Sequence, residues 1–208
     1  MRKEALKIGI TGGIGAGKTT ICKVFACLGI PIYEADKEAR WLMENDVTLI
    51  NQIKQLFGTE SYQDGKIARE WIAKRVFENR ELLQQLNSLV HPAVGKHYLQ
   101  WHQKQHLTPN RTPLLYTLDE AALMYESGNY QLLDAVILVT APEQVRIQRV
   151  LQRDNHRTEA DIKAIMQNQQ PEEEKKQKAQ FIIENNNQQL VLPQILQVHQ
   201  QILELYKK

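Results

Sequence analysis

Residues Leu6–Leu28 read LKIGITGGIGAGKTTICKVFACL and change in character twice over this short distance. The first six residues are mostly apolar, which is typical of a short buried strand. Four glycines follow within Gly12–Gly17. From Thr19 onward the apolar side chains recur at three- and four-residue intervals, which indicates a helix, and Gly29 is a usual residue for its end. The segment therefore predicts a strand, a glycine-rich loop and a helix in succession.

The glycine-rich segment Gly12–Thr19 fits the pattern G-x-x-x-x-G-K-[ST], in which a loop joins a strand to a helix. Backbone N–H groups of such a loop and of the helix N-terminus form a nest for anions. Lys18 supplies a positive charge for the β- and γ-phosphates of a nucleotide, and the Thr19 hydroxyl is a candidate Mg²⁺ ligand. The motif in this context predicts binding of a nucleoside triphosphate.

The rest of the chain predicts an α/β fold in a single domain. Four more segments have the composition of short strands: Ile30–Glu34, Pro113–Leu118, Ala135–Thr140 and Phe181–Glu184. Helical patterns separate them, including one at Glu120–Glu126, so we expect a five-stranded doubly wound parallel sheet. Residues 36–108 contain few strand signals and predict a helical insertion, with its helix interrupted at His91-Pro92, between core segments 1–35 and 110–208.

Composition excludes several classes of protein. The chain is 42% hydrophobic and 24% charged, as globular chains are, and its formal net charge of +2 gives no argument for nucleic-acid binding. No apolar run approaches the roughly 18 residues that span a bilayer, and no apolar signal-peptide core follows the charged start. Two cysteines, Cys22 and Cys27, are predicted to be reduced thiols, which indicates a cytoplasmic location.

The loop alone does not distinguish a kinase from other nucleotide-binding proteins. The strings D-x-x-G and N-K-x-D, with which a GTPase senses the γ-phosphate and reads guanine, do not occur. A kinase also needs an acceptor site, and Asp36 lies just past the second predicted strand, where ligands bind in open α/β sheets. Asp36 could accept the proton of an attacking hydroxyl and Arg40 could hold an anionic substrate. Asp36 fits a helix N-cap equally well, and Glu34 is expected to be a supporting or solvated carboxylate.

Four arginines follow the fourth predicted strand, where a lid is expected over about residues 150–170. They are Arg146, Arg149, Arg153 and Arg157. Arginines stabilise charge on a transferred phosphoryl group, although a solvated cationic helix face would have the same pattern. Arg153, followed by Asp154 at the expected helix end, is the best placed of the four.

The chain resembles the dephospho-coenzyme A kinase family over nearly its whole length. Seven segments carry the resemblance: Ile8–Thr20 (IGITGGIGAGKTT), Leu28–Arg40 (LGIPIYEADKEAR), Asp64–Arg69 (DGKIAR), Val76-Phe77, Leu89–Pro92 (LVHP), Arg153-Asp154 and Ile183–Asn186 (IENN). The chain departs from the family at Glu34, where an aspartate is usual. It departs again after the third strand, where Asp119 or Glu120 could fill the acidic position.

The resemblance implies a fold like that of nucleoside monophosphate kinases, with strand order 2-3-1-4-5, a helical substrate-binding insertion and a lid. It implies transfer of phosphate from ATP to the ribose 3′-hydroxyl of dephospho-CoA, the last step of coenzyme A biosynthesis. Asp36, Lys18 and Arg153 would be catalytic, and Arg40, His91 and Pro92 would bind substrate together with Asp36. ATP would be held by a run of consecutive residues, namely Gly13, Ile14, Gly15, Ala16, Gly17, Lys18, Thr19 and Thr20.

The resemblance also implies the cofactor and partners. Mg²⁺, with Thr19 as a ligand, would accompany ATP as co-substrate. The expected partners are the small molecules ATP and dephospho-CoA, with no nucleic acid and no membrane, for a monomeric cytoplasmic enzyme. Another small-molecule kinase of the same build, or a nucleotide-binding switch protein with little turnover, stays open at this point.

Overall fold

The computed structural model describes residues 4–106 and 114–207 of the chain. Its strands are β1 (Leu6–Thr11), β2 (Ile32–Glu34), β3 (Tyr62–Gln63), β4 (Lys66–Ile67), β5 (Tyr116–Glu120), β6 (Ala135–Thr140) and β7 (Phe181–Glu184). Its α-helices are α1 (Lys18–Cys27), α2 (Ala35–Asn45), α3 (Val47–Phe57), α4 (Arg69–Glu78), α5 (Arg80–His106), α6 (Glu143–Arg153), α7 (Glu159–Gln167), α8 (Glu172–Lys178) and α9 (Val191–Lys207).

Five strands form the main sheet in the order β2-β5-β1-β6-β7. The pairings of β1 with β5, of β1 with β6 and of β6 with β7 are parallel. Numbered among the five core strands alone, this order is 2-3-1-4-5, so the predicted α/β fold and its strand order are confirmed. The second core strand is shorter than predicted, and the third begins at Tyr116, while its predicted first residue, Pro113, lies outside the described residues.

The hydrophobic core lies on the face of the sheet covered by α1 and α9. Alternation along β1 directs Ile8 and Ile10 into it, where both are fully buried. Phe25 of α1 and Ile195 of α9 join the same cluster. Burial of β1 against two helices fixes the strand end from which the glycine-rich loop departs.

Tertiary contacts divide the chain into two compact units. Glu34–Trp101 form one unit, and the described residues before and after them form the other. The unit Glu34–Trp101 contains α2, α3, α4 and most of α5, together with a small antiparallel hairpin of β3 and β4. The hairpin turns at Asp64-Gly65, both of which have positive φ, as the predicted turn there requires. In the described part of the chain, no helix combines the length and apolarity needed to cross a membrane.

Two local predictions are wrong. The segment predicted as a helix at Glu120–Glu126 is instead the end of β5 followed by turns, because its apolar spacing reflects burial of Met124 and Tyr125 against Val136. Helix α5 continues through Pro92 where an interruption was expected. Proline removes one N–H from the helix ladder, but burial of side chains on both sides of it outweighs that loss.

Candidate functional site

The glycine-rich loop joins β1 to α1 and is enclosed by neighbouring segments. Gly15 and Gly17 have φ of 79° and 93°, in the left-handed region that favours glycine. A Cβ atom at Gly15 would collide with the backbone carbonyl of Arg146, and one at Gly17 would collide with the side-chain amide of Asn185. The glycines are therefore required both for backbone conformation and for close approach to α6 and to the residues after β7.

Lys18 and the two threonines after it begin helix α1. The Lys18 Nζ donates a hydrogen bond of 2.8 Å to the Gly12 carbonyl, which brings the ammonium group back over the loop. Thr19 and Thr20 are exposed in the first helical turn. The local sequence thus presents an ammonium group, two hydroxyls and the N-terminus of a helix at one place, which is an arrangement suited to phosphate.

Thr19 meets a carboxylate from the end of β5. Its Oγ1 donates a hydrogen bond of 2.8 Å to the Oε1 of Glu120. Asp119, the other candidate for this acidic position, pairs in register with Gly9 and is buried on the opposite side of the strand. Hydroxyl and carboxylate oxygens are the hard ligands that Mg²⁺ prefers, so the donor set of Thr19 and Glu120 fits this ion.

Arg149 and Asn185 connect the loop to α6 and to the segment after β7. The Arg149 Nη2 donates to the Asn185 carbonyl at 3.0 Å, to the Asn185 Oδ1 at 3.1 Å and to the Asn187 side chain. Asn185 in turn donates from its Nδ2 to the Ala16 carbonyl at 2.8 Å. Burial lowers the pKa of the Arg149 guanidinium from its ordinary value. These contacts brace the loop.

Arg153 lies one turn beyond Arg149, at the end of α6. Its Nε and Nη2 each donate a 2.9 Å hydrogen bond to one carboxylate oxygen of Asp154. This hydrogen-bonded pair raises the pKa of Arg153 and lowers that of Asp154. The Arg157 Nε also lies 3.3 Å from the Asp154 Oδ2, so this carboxylate forms ion pairs with two of the four candidate arginines. Arg146 and Arg149 are the two that lie against the loop. The Arg146 guanidinium approaches Gly13, and the Arg149 guanidinium approaches the Ala16 carbonyl.

Asp36 and Arg40 lie on α2, in the unit Glu34–Trp101. The N-cap of this helix is Glu34, so the interpretation of Asp36 as a cap is wrong. Strand β2 ends at Glu34 and the helix begins at the next residue, which places Asp36 inside the first turn. Asp36 is exposed in the first helical turn, and Arg40 follows it by four residues on the same face. Glu34 is exposed and lies 3.7 Å from the Lys37 ammonium.

His91 and Pro92 lie on α5 in the same unit. Burial lowers the pKa of the half-buried His91 imidazole below its ordinary value, which favours its neutral form near pH 7. Pro92 lines a cavity of about 370 Å³ together with Leu42, Asp46 and His97. The unit Glu34–Trp101 therefore holds a concave surface between α2, α3 and α5.

Sequence reasoning missed one side chain that touches the loop. The Oε1 of Gln169 accepts a hydrogen bond of 3.0 Å from the Ile14 N–H. Gln169 lies between α7 and α8, 155 residues from Ile14, and no motif or spacing marked it. Asn185 was visible only as part of the IENN string, without a role.

Comparison with known proteins gives a consistent result. A model of the dephospho-CoA kinase family matches residues 6–191. The dephospho-CoA kinase of Porphyromonas gingivalis is 30% identical over 193 residues, which cover 93% of this chain and 92% of that protein. A solved structure from Thermus thermophilus has a TM-score of 0.78 and 30% identity, with 97% of this chain and 98% of that chain covered. The solved dephospho-CoA kinase of Campylobacter jejuni has a TM-score of 0.67 and 27% identity, with 95% and 97% covered. Because the family model spans most of the chain and the relatives agree with it over nearly their full lengths, this chain belongs to the dephospho-CoA kinase family.

Proposed function

We propose that this chain transfers the γ-phosphoryl group of ATP to the ribose 3′-hydroxyl of dephospho-CoA, giving ADP and coenzyme A. Membership of the dephospho-CoA kinase family supports the reaction and both substrates. The observation that carries the proposal for the site is the glycine-rich loop with Lys18 and the pair of Thr19 and Glu120 beside it. In this proposal the chain is a cytoplasmic monomer, which cell fractionation and sedimentation velocity would test.

The loop residues Gly13–Thr20 would bind the phosphates of ATP. Their backbone N–H groups form a nest for phosphate oxygens, and the Lys18 ammonium would neutralise charge on the β- and γ-phosphates. Thr19 and Glu120 would hold Mg²⁺, which neutralises phosphate charge when it is bound. Arg149 and Asn185 would keep the loop in the conformation that phosphate requires.

Asp36 would act on the acceptor. In the proposed step the ribose 3′-oxygen attacks the γ-phosphorus, the bond from that phosphorus to the β–γ bridging oxygen breaks, and the hydroxyl proton passes to the Asp36 carboxylate. Arg40 on the same helix face would hold an anionic group of the substrate. His91, in its neutral form, and Pro92 would shape the binding surface. Arg153, once released by Asp154, would stabilise charge on the transferred group.

The experiment that tests the reaction is incubation with Mg-ATP and dephospho-CoA, with coenzyme A detected by mass spectrometry. Shikimate, gluconate and nucleoside monophosphates serve as competing acceptors. Turnover of dephospho-CoA should exceed that of all three. Better turnover of a monophosphate would make the chain a different small-molecule kinase, and no turnover with any acceptor would favour a switch protein.

The role of Asp36 is tested by Asp36→Asn, with Glu34→Gln as the matched control. A positioned acid–base group contributes roughly 10²–10⁴-fold, so kcat for coenzyme A formation should fall by that factor in Asp36→Asn. ATP affinity should stay unchanged, and Glu34→Gln should stay within about threefold of the unmodified chain, since loss of one exposed charge has a small effect. A kcat for Asp36→Asn within threefold of the unmodified chain would exclude the assignment.

A further inference from the structure

A side chain from outside the loop accepts a hydrogen bond from one of the backbone N–H groups of the loop. The Ile14 N–H donates to the Gln169 Oε1 at 3.0 Å. Because a backbone N–H can only donate, the oxygen of the Gln169 amide must face Ile14, which fixes the orientation of the amide. An amide oxygen carries partial negative charge, so Gln169 offers the loop the same type of acceptor atom that a phosphate offers.

The segment that carries Gln169 is anchored independently of the loop. The Gln170 N–H donates to the Glu126 Oε1 at 2.7 Å, and the Lys175 ammonium lies 2.9 Å from the same oxygen. Lys175 is only 2% exposed, so the ammonium end of this ion pair is buried, while the Glu126 side chain is partly exposed. The Gln169 N–H donates to the Met166 carbonyl at 3.1 Å, at the end of α7. The backbone on both sides of Gln169 is therefore fixed, and its side chain is presented to the loop.

Ile14 is linked to the same region through its side chain. It packs against a buried apolar cluster that contains Ile147 of α6 and Ile162 of α7. One residue of the loop thus contacts the expected lid region twice, by an apolar contact through its side chain and by a hydrogen bond through its N–H to Gln169. Of the two contacts, only the hydrogen bond uses a group that phosphate binding would also need.

We propose that Gln169 sets the ATP affinity of this enzyme by competing with a phosphate oxygen for the Ile14 N–H. The proposal rests on the proposed role of the loop in ATP binding. One N–H carries one hydrogen, so a full hydrogen bond to Gln169 and one to phosphate exclude each other. A phosphate oxygen is charged and is the stronger acceptor, so ATP displaces Gln169 at a cost in apparent affinity. Displacement also removes the hydrogen bond between the loop and the segment that joins α7 to α8, which couples nucleotide binding to the Gln169 side chain.

The test is the dissociation constant of Mg-ATP, measured by calorimetric titration of the full chain. Gln169→Met keeps most of the side-chain length but lacks the amide oxygen, and Gln169→Ala removes the group altogether. Both variants should bind ATP roughly two- to tenfold more tightly, the factor that one intramolecular hydrogen bond represents. Asn168→Ala, an exposed neighbour, is the control and should leave the constant unchanged. Thermal melting verifies that each variant is folded.

The outcomes separate this inference from the proposed function. Unchanged affinity in both Gln169 variants would overturn competition, and weaker binding would show that Gln169 helps to hold the nucleotide. Lys18→Ala in the same titration tests the loop itself. If Lys18→Ala loses ATP binding while the Gln169 variants gain nothing, only the competition is wrong. If Lys18→Ala binds ATP normally, the assignment of the loop is wrong as well.

Discussion

Replacement of Arg149 by methionine should both destabilise the fold and weaken ATP binding. The guanidinium group is part-buried and donates to three oxygen atoms of Asn185 and Asn187, and it approaches the Ala16 carbonyl at 3.4 Å. Methionine preserves much of the side-chain volume but donates no hydrogen bond. The three acceptors then lose a charged partner at the place where the loop, α6 and the residues after β7 meet.

The size of the effect follows from the contacts. Hydrogen bonds to charged groups contribute about 1.5–3 kcal/mol each, and bonds within one network are not additive. The long contact to Ala16 adds little, so the free energy of unfolding should fall by about 2–4 kcal/mol. A chain of this size loses about 2–4 °C in Tm per kcal/mol, which gives a decrease of roughly 4–16 °C.

Arg153→Met on the same helix is the matched comparison. Arg153 binds Asp154, but its side chain is 65% exposed, and such surface pairs contribute about 0–1 kcal/mol. Urea unfolding of both variants gives the two free energies, and initial rates at varied ATP concentration give the KM for ATP. Equal destabilisation by the two substitutions, or an unchanged KM for ATP in Arg149→Met, would refute the bracing role of Arg149.

Three more outcomes are expected. Thr158 and Asp161 form a reciprocal cap at the start of α7, so Thr158→Ala should lower the free energy of unfolding by about 1 kcal/mol in urea titrations, with Thr158→Ser close to unchanged. Glu120→Gln removes the charge beside Thr19 and should raise the Mg²⁺ concentration needed for half-maximal turnover, measured at saturating ATP; an unchanged requirement would exclude Glu120 as a ligand. Burial lowers the pKa of His199, so its contribution to stability should be complete above the unfolded value of about 6.5 and be lost as the pH falls below it. Tm between pH 7.5 and 5 should therefore depend less on pH in His199→Gln than in the unmodified chain.

The sheet and the glycine-rich loop could be predicted because their signals are local. A strand, its loop and its helix follow each other within Leu6–Leu28, and each has its own periodicity. Local signals failed where tertiary packing decides the conformation. The segment Glu120–Glu126 has a helix-like sequence, but its Met124 and Tyr125 are buried in turns, and Pro92 is accommodated inside a long helix.

The contacts that complete the loop could not be predicted because they join distant parts of the chain. Thr19 and Glu120 are 101 residues apart, and Arg149 reaches Asn185 across 36 residues. The sequence favoured Arg153 over Arg149 because Asp154 follows Arg153 at the expected helix end. In the structure Asp154 binds the Arg153 guanidinium. A pattern reports which residue types follow each other, whereas the partner of a flexible charged side chain depends on which segments the fold brings together.

The ion pair of Glu126 with the buried Lys175 has a consequence for how this chain can diverge. Loss of Glu126 leaves the buried Lys175 ammonium unpaired, at about 3–5 kcal/mol, whereas exchange of both residues for well-packed apolar residues is often close to neutral. A change at Glu126 alone therefore gives an unstable protein, whereas a simultaneous change at both positions does not. Among descendants of this sequence, the acid after β5 and the lysine of α8 should be kept together or replaced together.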